Sequence, residues 1–414
     1  MPGLHRERPG ADAIAATRGE PAVDLGDGIW MSAGLSNTYL LRTDEGRVIV
    51  NTGMGFEGPL HRRAFDAVDP APTRAIVLTQ GHYDHVGGVD SLRDEGSDVV
   101  AQANFASWRA DNERLETFRS RNAAFAWIDA ILAAITYAES LGAGAGAQAR
   151  PEPTVTFEDR LELSIDGRGL VLLSTPGGET TDSLVIWLPD SRTAFTGNLF
   201  GPLFGHVPNL VTIRGDRYRD ALTYIASLDT VLDLTPERLV TGHFEPIDGA
   251  DRIATEIVAM RDAMQWVHDQ TIDGMNAGTD VHTLMREVRV PEHLDVGEGY
   301  GKTSWNVRAI WENYSGWFHH RSTTELYGVS AAAIAPDLVA AAGGDALAAA
   351  ARARLDAGEP VAALHLTDIV LAAEPDHDEA RRTASAATRD LLDASVNFWE
   401  RAWLKRSLDH LEVR

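Results

Sequence analysis

The chain has 414 residues, 44% of them hydrophobic and 24% charged, ordinary values for a globular protein able to bury a sizeable core. Its 61 acidic residues against 37 basic ones leave a net charge of −24, a surface that repels phosphate backbones and argues against nucleic-acid binding. Cysteine is absent, which excludes disulfides, thiolate metal sites and cysteine nucleophiles, so any metal must be held by His, Asp, Glu or amides.

The length corresponds to two or three domains. Residues 1–24 are polar and without period, which predicts a loose N-terminal arm. They lack the apolar core of a signal peptide, and no apolar run reaches the ~20 residues of a membrane helix, so a cytoplasmic protein without membrane association is expected. Short strand-like segments follow, GIWMSAG (28–34), NTYLLRT (37–43), RVIVNTG (47–53) and RAIVLTQ (74–80), with a helical stretch at 58–68. Residues 103–141 lack Pro and Gly and carry apolar residues at helical spacing, predicting one or two helices. The segment GAGAGAQARPEP (142–153) reads as a flexible connector.

Strands resume with TVTF (154–157), RLELSI (160–165), GLVLLSTPG (169–177), SLVIWLP (183–189) and TAFTGN (193–198). A helix at 218–232 and the strand RLVTGH (238–243) come next. Strands alternating with helices predict a layered α/β architecture. From about residue 255 the pattern is helical to the end, and residues 345–387 have the texture of a tetratricopeptide unit.

The segment TQGHYDHVGG (79–88) directly follows a predicted strand and turns on glycines, which can aim several polar side chains into one cleft. Imidazole and carboxylate are natural ligands for a divalent cation such as zinc. Three more strand ends carry polar residues: Thr175 to Glu179, Thr196 to Asn198, and Thr241 to His243. Polar groups repeated at strand ends are how a layered α/β protein assembles a shared site.

These motifs resemble the metallo-β-lactamase superfamily, and more closely its alkyl sulfatase branch. His82, Asp84, His85, Gly87 and Gly88 meet the pattern H-x-H-x-D-H-x-G-G except at its first position. The segment from Pro176 to Glu179 looks like the branch's PGxE motif, and PNLVTIRG (208–215) resembles its NLYTLRG segment, which in the family holds sulfate. His243 matches the last metal histidine, and residues 300–306, 314–318 and 343–347 look like the helical dimerisation domain.

The resemblance implies an αββα sandwich over residues 25–255, followed by an all-α dimerisation domain over 256–414. It also implies a hydrolase acting on a small sulfate ester, anionic with an apolar tail, and a homodimer. A small C-terminal sterol-carrier-like domain common in the branch is expected to be missing. The branch would place one metal on positions 80, 82 and 179 and another on 84, 85 and 243. Here Gln80 replaces a histidine, and Asn198 stands where a carboxylate is usually shared between the metals. Neutral amides leave two adjacent divalent ions poorly compensated, which predicts one tightly bound Zn²⁺ at Asp84, His85 and His243 and weak occupancy of Gln80, His82 and Glu179.

Two histidines and one carboxylate also suit mononuclear iron, and manganese is compatible, so an iron oxygenase or other redox enzyme on the same fold is an alternative. A catalytically silent metal-binding protein is a third reading. Asp84, Asn209 and Arg214 are expected at the reaction centre, the latter two clamping an oxyanion. His206, in a Gly/Pro-rich loop, is a candidate proton donor to the leaving group. Arg217 and Arg219 are expected on a solvated helix face, Tyr83 in packing beneath the metal loop, and most aromatics of 103–141 in core packing, with a few lining an apolar pocket that would fit an alkyl or aryl substrate.

Overall fold

The computed structural model describes residues 3–140 and 146–412. They form two compact units, Met1–Tyr314 and Ser315–Arg414. The first unit opens with a meander, β1 (Val23–Gly26), β2 (Ile29–Ser32), β3 (Thr38–Arg42) and β4 (Arg47–Val50), each strand antiparallel to the next. After helix α1 (Gly58–Asp66), β5 (Thr73–Val77) pairs parallel to β4. The short helices α2 (Tyr83–Val86) and α3 (Val89–Leu92) then lead to β6 (Asp98–Gln102). Helices α4 (Phe105–Arg114) and α5 (Glu116–Ser140) precede β7 (Val155–Phe157), and both β6 and β7 extend the first sheet in parallel.

The second sheet runs β13-β12-β11-β10-β9-β8 in spatial order. Its strands are β8 (Arg160–Ile165), β9 (Arg168–Ser174), β10 (Leu184–Leu188), β11 (Thr193–Gly197), β12 (Arg238–Thr241) and β13 (Ile247–Asp248), and only the β11–β12 pair is parallel. Helix α6 (Ala221–Leu234) makes that parallel crossover. It starts at Ala221 because the Asp220 carboxylate accepts the Thr223 N–H, an N-cap that fixes the first turn. Helices α7 (Ala250–Asn276), α8 (Val281–Glu287) and α9 (Thr303–Ser315) follow.

Alternation along the strands divides the core into layers. Leu41, Val48, Val50 and Val77 of the first sheet meet Leu172, Ile186 and Phe195 of the second between the sheets. Their neighbours Leu40, Ile49 and Ile76 face outward onto Phe65, Val89 and Leu92. On the other outer face, Val185, Ala194 and Leu239 pack with Tyr224, Ile257, Met260 and Met264. Two sheets flanked by helices on both sides make the expected αββα sandwich. A strand such as β4, buried at every residue, therefore reads as a continuous apolar run after its first residue, Arg47.

Three expectations about the organisation change. The chain divides at 314/315 and not at 255/256, because residues of α7, α8 and α9 (Met264, Leu284, Ile310) lie in one core with the second sheet. The N-terminal segment is not a loose arm. Leu4 is buried in that same core, its N–H donates to the Glu256 carboxylate at 2.9 Å, and the Gly3 N–H reaches Asp295 at 2.9 Å. The connector expected at 142–153 lies partly outside the described residues. In its described part, Gln148 Oε1 accepts from the Gly55 N–H and its Nε2 donates to the Tyr83 carbonyl, which pins it beside the metal loop.

The second unit holds α10 (Ala335–Ala342), α11 (Gly344–Asp356), α12 (Pro360–Ala373), α13 (Asp378–Ala394) and α14 (Phe398–Glu412). Small side chains let these helices approach closely: Ala348 and Ala380 pack with Val370, and Ala363 and Ala387 with Leu355. The His377 Nδ1 accepts the Ala380 N–H and caps α13, a structural role. Among the described residues no single helix is long and apolar enough to cross a membrane.

Candidate metal centre

The site is built from the ends of strands. Beyond β5 the chain passes through Thr79 and Gln80, and Asn51 fixes this turn by accepting both the Thr79 N–H at 2.9 Å and its hydroxyl at 3.0 Å. The His85 carbonyl accepts from the Thr52 N–H at 2.8 Å and the Thr52 hydroxyl at 3.0 Å, so the metal loop is tied to the end of β4. The glycine pair is a steric requirement: a Cβ on Gly87 would stand 2.3 Å from Gln148 Nε2, and one on Gly88 2.2 Å from the Thr52 carbonyl oxygen.

Asp84, His85 and His243 converge, each with one ligand atom within 4.8 Å of the other two. His85 Nε2 is 3.5 Å from Asp84 Oδ2. Beside them lies a second cluster, with His82 Nδ1 3.2 Å from Gln80 Nε2 and 3.4 Å from Glu179 Oε2. Asn198 stands between the two, its Nδ2 donating to Glu179 Oε2 at 3.0 Å and lying 3.2 Å from His243 Nε2. All seven sequence-predicted ligand positions therefore meet at one place.

The donor set fits a divalent cation. His85, with neither ring nitrogen hydrogen-bonded, and the oxygens Gln80 Oε1 and Asn198 Oδ1 are buried, an arrangement costly for a protein unless a cation accepts the lone pair that each residue offers. Burial lowers the His85 imidazole to about 4 and also pushes His243 down, so both are neutral and ligand-ready at pH 7. Burial works to raise the Asp84 carboxyl, but His85, His243 and His82 outweigh it and hold the group below its ordinary value. Glu179 is likewise buried yet held far below the carboxylate range by the His82 hydrogen bond and charge, aided by Arg219 and Arg214.

His82, Asp84, Glu179, Asn198 and His243 line one cavity of 410 Å³, with His85 and Gln80 behind them. Its walls are mainly apolar, with Leu35, Met54, Trp108, Trp127, Ile128 and Ile131 among them, and the residues of α5 recur at helical spacing on one face. Arg214 lines the same cavity, its guanidinium 3.3 Å from Asp216.

Several expected placements differ. His206 is not at the cavity: its Nδ1 accepts the Gly299 N–H at 2.8 Å, its ring packs edge-on to His5, and burial lowers it to about 4, so it is structural and not a proton donor. Asn209 is buried with Nδ2 unpartnered but does not line the cavity. Tyr83 lies on the cavity wall, partly exposed, and not beneath the loop. Arg217 is solvated but lies in the loop before α6 and not on a helix, whereas Arg219 is buried and donates to the Asn209 carbonyl. Of the aromatics in the helical insert, Phe105 is core, while Trp108 and Trp127 line the cavity and Phe118 is exposed. The sequence reading missed Arg119 and Asp216, both on the wall.

An αββα sandwich with histidines and carboxylates gathered at its strand ends defines a metal-binding enzyme fold. The model of the metallo-beta-lactamase superfamily matches residues 31–243, more than half of the chain, and that of the alkyl sulfatase dimerisation domain matches residues 281–412. The chain belongs to the metallo-β-lactamase superfamily, in its alkyl sulfatase-like branch.

A linear primary-alkylsulfatase of a Pseudomonas species is 28% identical over 90% of this chain and 73% of its own length. An alkyl/aryl-sulfatase of Saccharomyces cerevisiae is 25% identical over 82% of the chain and 55% of its own length. Among solved structures, the stereoselective inverting sec-alkylsulfatase Pisa1 from Pseudomonas sp. superposes with a TM-score of 0.79 at 23% identity, covering 95% of this chain and 66% of that one. The chain thus spans only part of the length of each relative. The iron-oxygenase and silent-protein alternatives find no favour in these comparisons.

Proposed function

We propose that the protein is a metal-dependent hydrolase of sulfate esters carrying an apolar tail, working with one tightly held Zn²⁺ and as a homodimer. The observation that carries this reading is the joining, in one cavity, of Asp84 and His243 with Arg214 and a largely apolar wall. Asp84, His85 and His243 would hold the cation, and a bound divalent ion supplies Lewis acidity there, acidifying a coordinated water. Arg214, whose planar fork matches two oxygens of an oxyanion, binds the sulfate group and fixes the ester's orientation. Trp108, Trp127, Ile128 and Ile131 receive the apolar part and exclude water from the reacting end.

Single occupancy is supported by Asn198, whose Nδ2 donates to Glu179 Oε2 in the place where a bridging carboxylate would stand. The homodimer is supported by the match to the dimerisation model over residues 281–412.

The test pairs elemental analysis of protein purified without added metal with turnover of a medium-chain alkyl sulfate. One zinc per chain and release of inorganic sulfate are expected. His85→Ala should lose the metal, and Arg214→Ala should keep it while the KM rises. Iron with oxygen uptake and no sulfate release would overturn the reading. Sedimentation should give twice the chain mass, and a monomer would remove the dimer from it.

A further inference from the structure

One part of the cavity wall gathers arginines in a protein of net charge −24. Asp216 receives three guanidinium groups, Arg119 at 3.3 Å on Oδ1, with Arg214 at 3.3 Å and Arg219 at 3.4 Å on Oδ2. Three cations face this one carboxylate, and Glu179 on the same wall further compensates Arg214 and Arg219. Arg219 is engaged by the Asn209 carbonyl and does not reach the cavity, whereas Arg119 and Arg214 both line it. Glu116 also lines the cavity, but its side chain is more than half exposed and lies 4.0 Å from Arg150.

Arg119 comes from α5, the helix that supplies much of the apolar wall. Its Nη1 donates to Asn112 Oδ1 and its Nη2 lies on Asp216, yet its Nε is buried with no hydrogen-bond partner. A buried guanidinium N–H without an acceptor is unfavourable unless a ligand supplies one. The shared Asp216 carboxylate holds Arg119 and Arg214 on the same cavity, with the Arg119 Nε–H left to donate to an anion's oxygen.

We propose that Arg119 is a second anion-binding arginine which, together with Arg214, holds the sulfate group of the substrate, so that α5 contributes charge as well as apolar surface. This rests on the sulfate-ester reading and deepens it. It also makes α5 specificity-determining, because a neutral ester would leave the buried Arg119 Nε–H without an anionic acceptor.

Inorganic sulfate is the probe, titrated calorimetrically into the purified metal-loaded protein and into protein stripped with chelator. Removing one charge-assisted contact of this kind weakens binding by about tenfold or more. Arg119→Gln should therefore raise the sulfate Kd and the KM of the sulfate ester by about tenfold, with a much smaller change in kcat. Arg119→Lys, which keeps the charge and loses the fork, should recover part of the affinity. Asp216→Asn should bind sulfate as tightly as the parent or more so, because it frees both arginines.

If Arg119 were only a strap holding α5 to the loop, Asp216→Asn would weaken sulfate binding as much as Arg119→Gln, and that result would overturn the proposal. An unchanged Kd in Arg119→Gln would overturn it equally. Arg121→Gln, on the exposed side of the same helix, controls for helix integrity and should leave the Kd unchanged; a loss there equal to that of Arg119→Gln would also sink it. The two readings fail separately. Arg119-dependent sulfate binding without ester cleavage would retain this inference and refute the reaction, and ester cleavage with Arg119-independent binding would do the reverse.

Discussion

Replacing Asn198 by Asp tests whether the amide is what keeps the site to one cation. In the parent, Asn198 Nδ2 donates to Glu179 Oε2 at 3.0 Å, deep in the site. Asn198→Asp puts a carboxylate oxygen where that donor stood, so two like charges face each other at the same separation. At an effective dielectric near 20, unit charges 3.0 Å apart repel by about 5 kcal/mol, and the lost hydrogen bond adds to that. In chelator-stripped protein the cost falls on the folded state. The urea midpoint should therefore drop sharply at pH 8 and recover at pH 5, where the pair takes up a proton. With metal present the sign reverses, because the added negative charge compensates a second cation. The double variant Gln80→His with Asn198→Asp should carry two metals per chain by elemental analysis. A stripped Asn198→Asp protein as stable as the parent at pH 8, or a double variant still holding one metal, would refute the charge argument.

Two further expectations concern the frame around the site. Burial raises the Glu57 carboxyl from 4.5 to about 7 despite three backbone donors. The folded chain therefore keeps this proton between about pH 4.5 and 7 while the unfolded chain has released it, so the contribution is full below about 4.5 and lost as pH rises to 7. It amounts to about 3 kcal/mol, each pH unit of that interval being worth about 1.36 kcal/mol. Glu57→Gln should flatten that part of the stability-versus-pH curve, and an unaltered slope would dismiss the assignment. Gly88→Ala should cost about 2 kcal/mol or more and loosen metal retention, since its methyl would press on the Thr52 carbonyl at 2.2 Å. By contrast Gly169→Ala, where the methyl meets nothing within 4 Å, should melt within a degree or two of the parent; equal effects at both positions would discount the steric account.

What was legible in the sequence was what the local chain states by itself. The strands around Leu40, Ile49, Ile76, Ile186 and Phe195 announce themselves by β-branched runs bounded by turn residues, and the ligands announce themselves by spacing from those strands. β6 escaped because its run, VVAQ after Asp98, sits between a turn and a helix and is short enough to pass for either's edge. The domain boundary was misread because helical periodicity says which face of α7 is apolar but not which partner covers it. Met260 and Met264 turn out to pack with the second sheet's layer. His206 has the residue type and loop setting of a proton donor, yet a Gly299 N–H decides its role, and no spacing rule registers that contact. Arg119 was hidden for the converse reason: in the polar first turns of α5 one more arginine carries no signal until the fold sets Asp216 opposite it.

The N-terminal segment shows most plainly why part of the site lay beyond pattern reading. Glu57 is fully buried, and its carboxylate accepts the N–H groups of Thr17, Leu35 and Met54, each at 2.9 Å. Those three segments bring Ile14, Leu35 and Met54 to the cavity wall. One acidic side chain thus gathers a polar stretch without visible pattern and two separate loops into the apolar wall of the cavity. Its partners are backbone donors, which every sequence offers at nearly every position, so composition gives no hint of the assembly. The cavity is accordingly apolar where it is held by a buried polar hub, and lined by arginines where Asp216 gathers them. In both places a single carboxylate sets the position of groups that are distant in the chain, and the ligands at the strand ends sit between them.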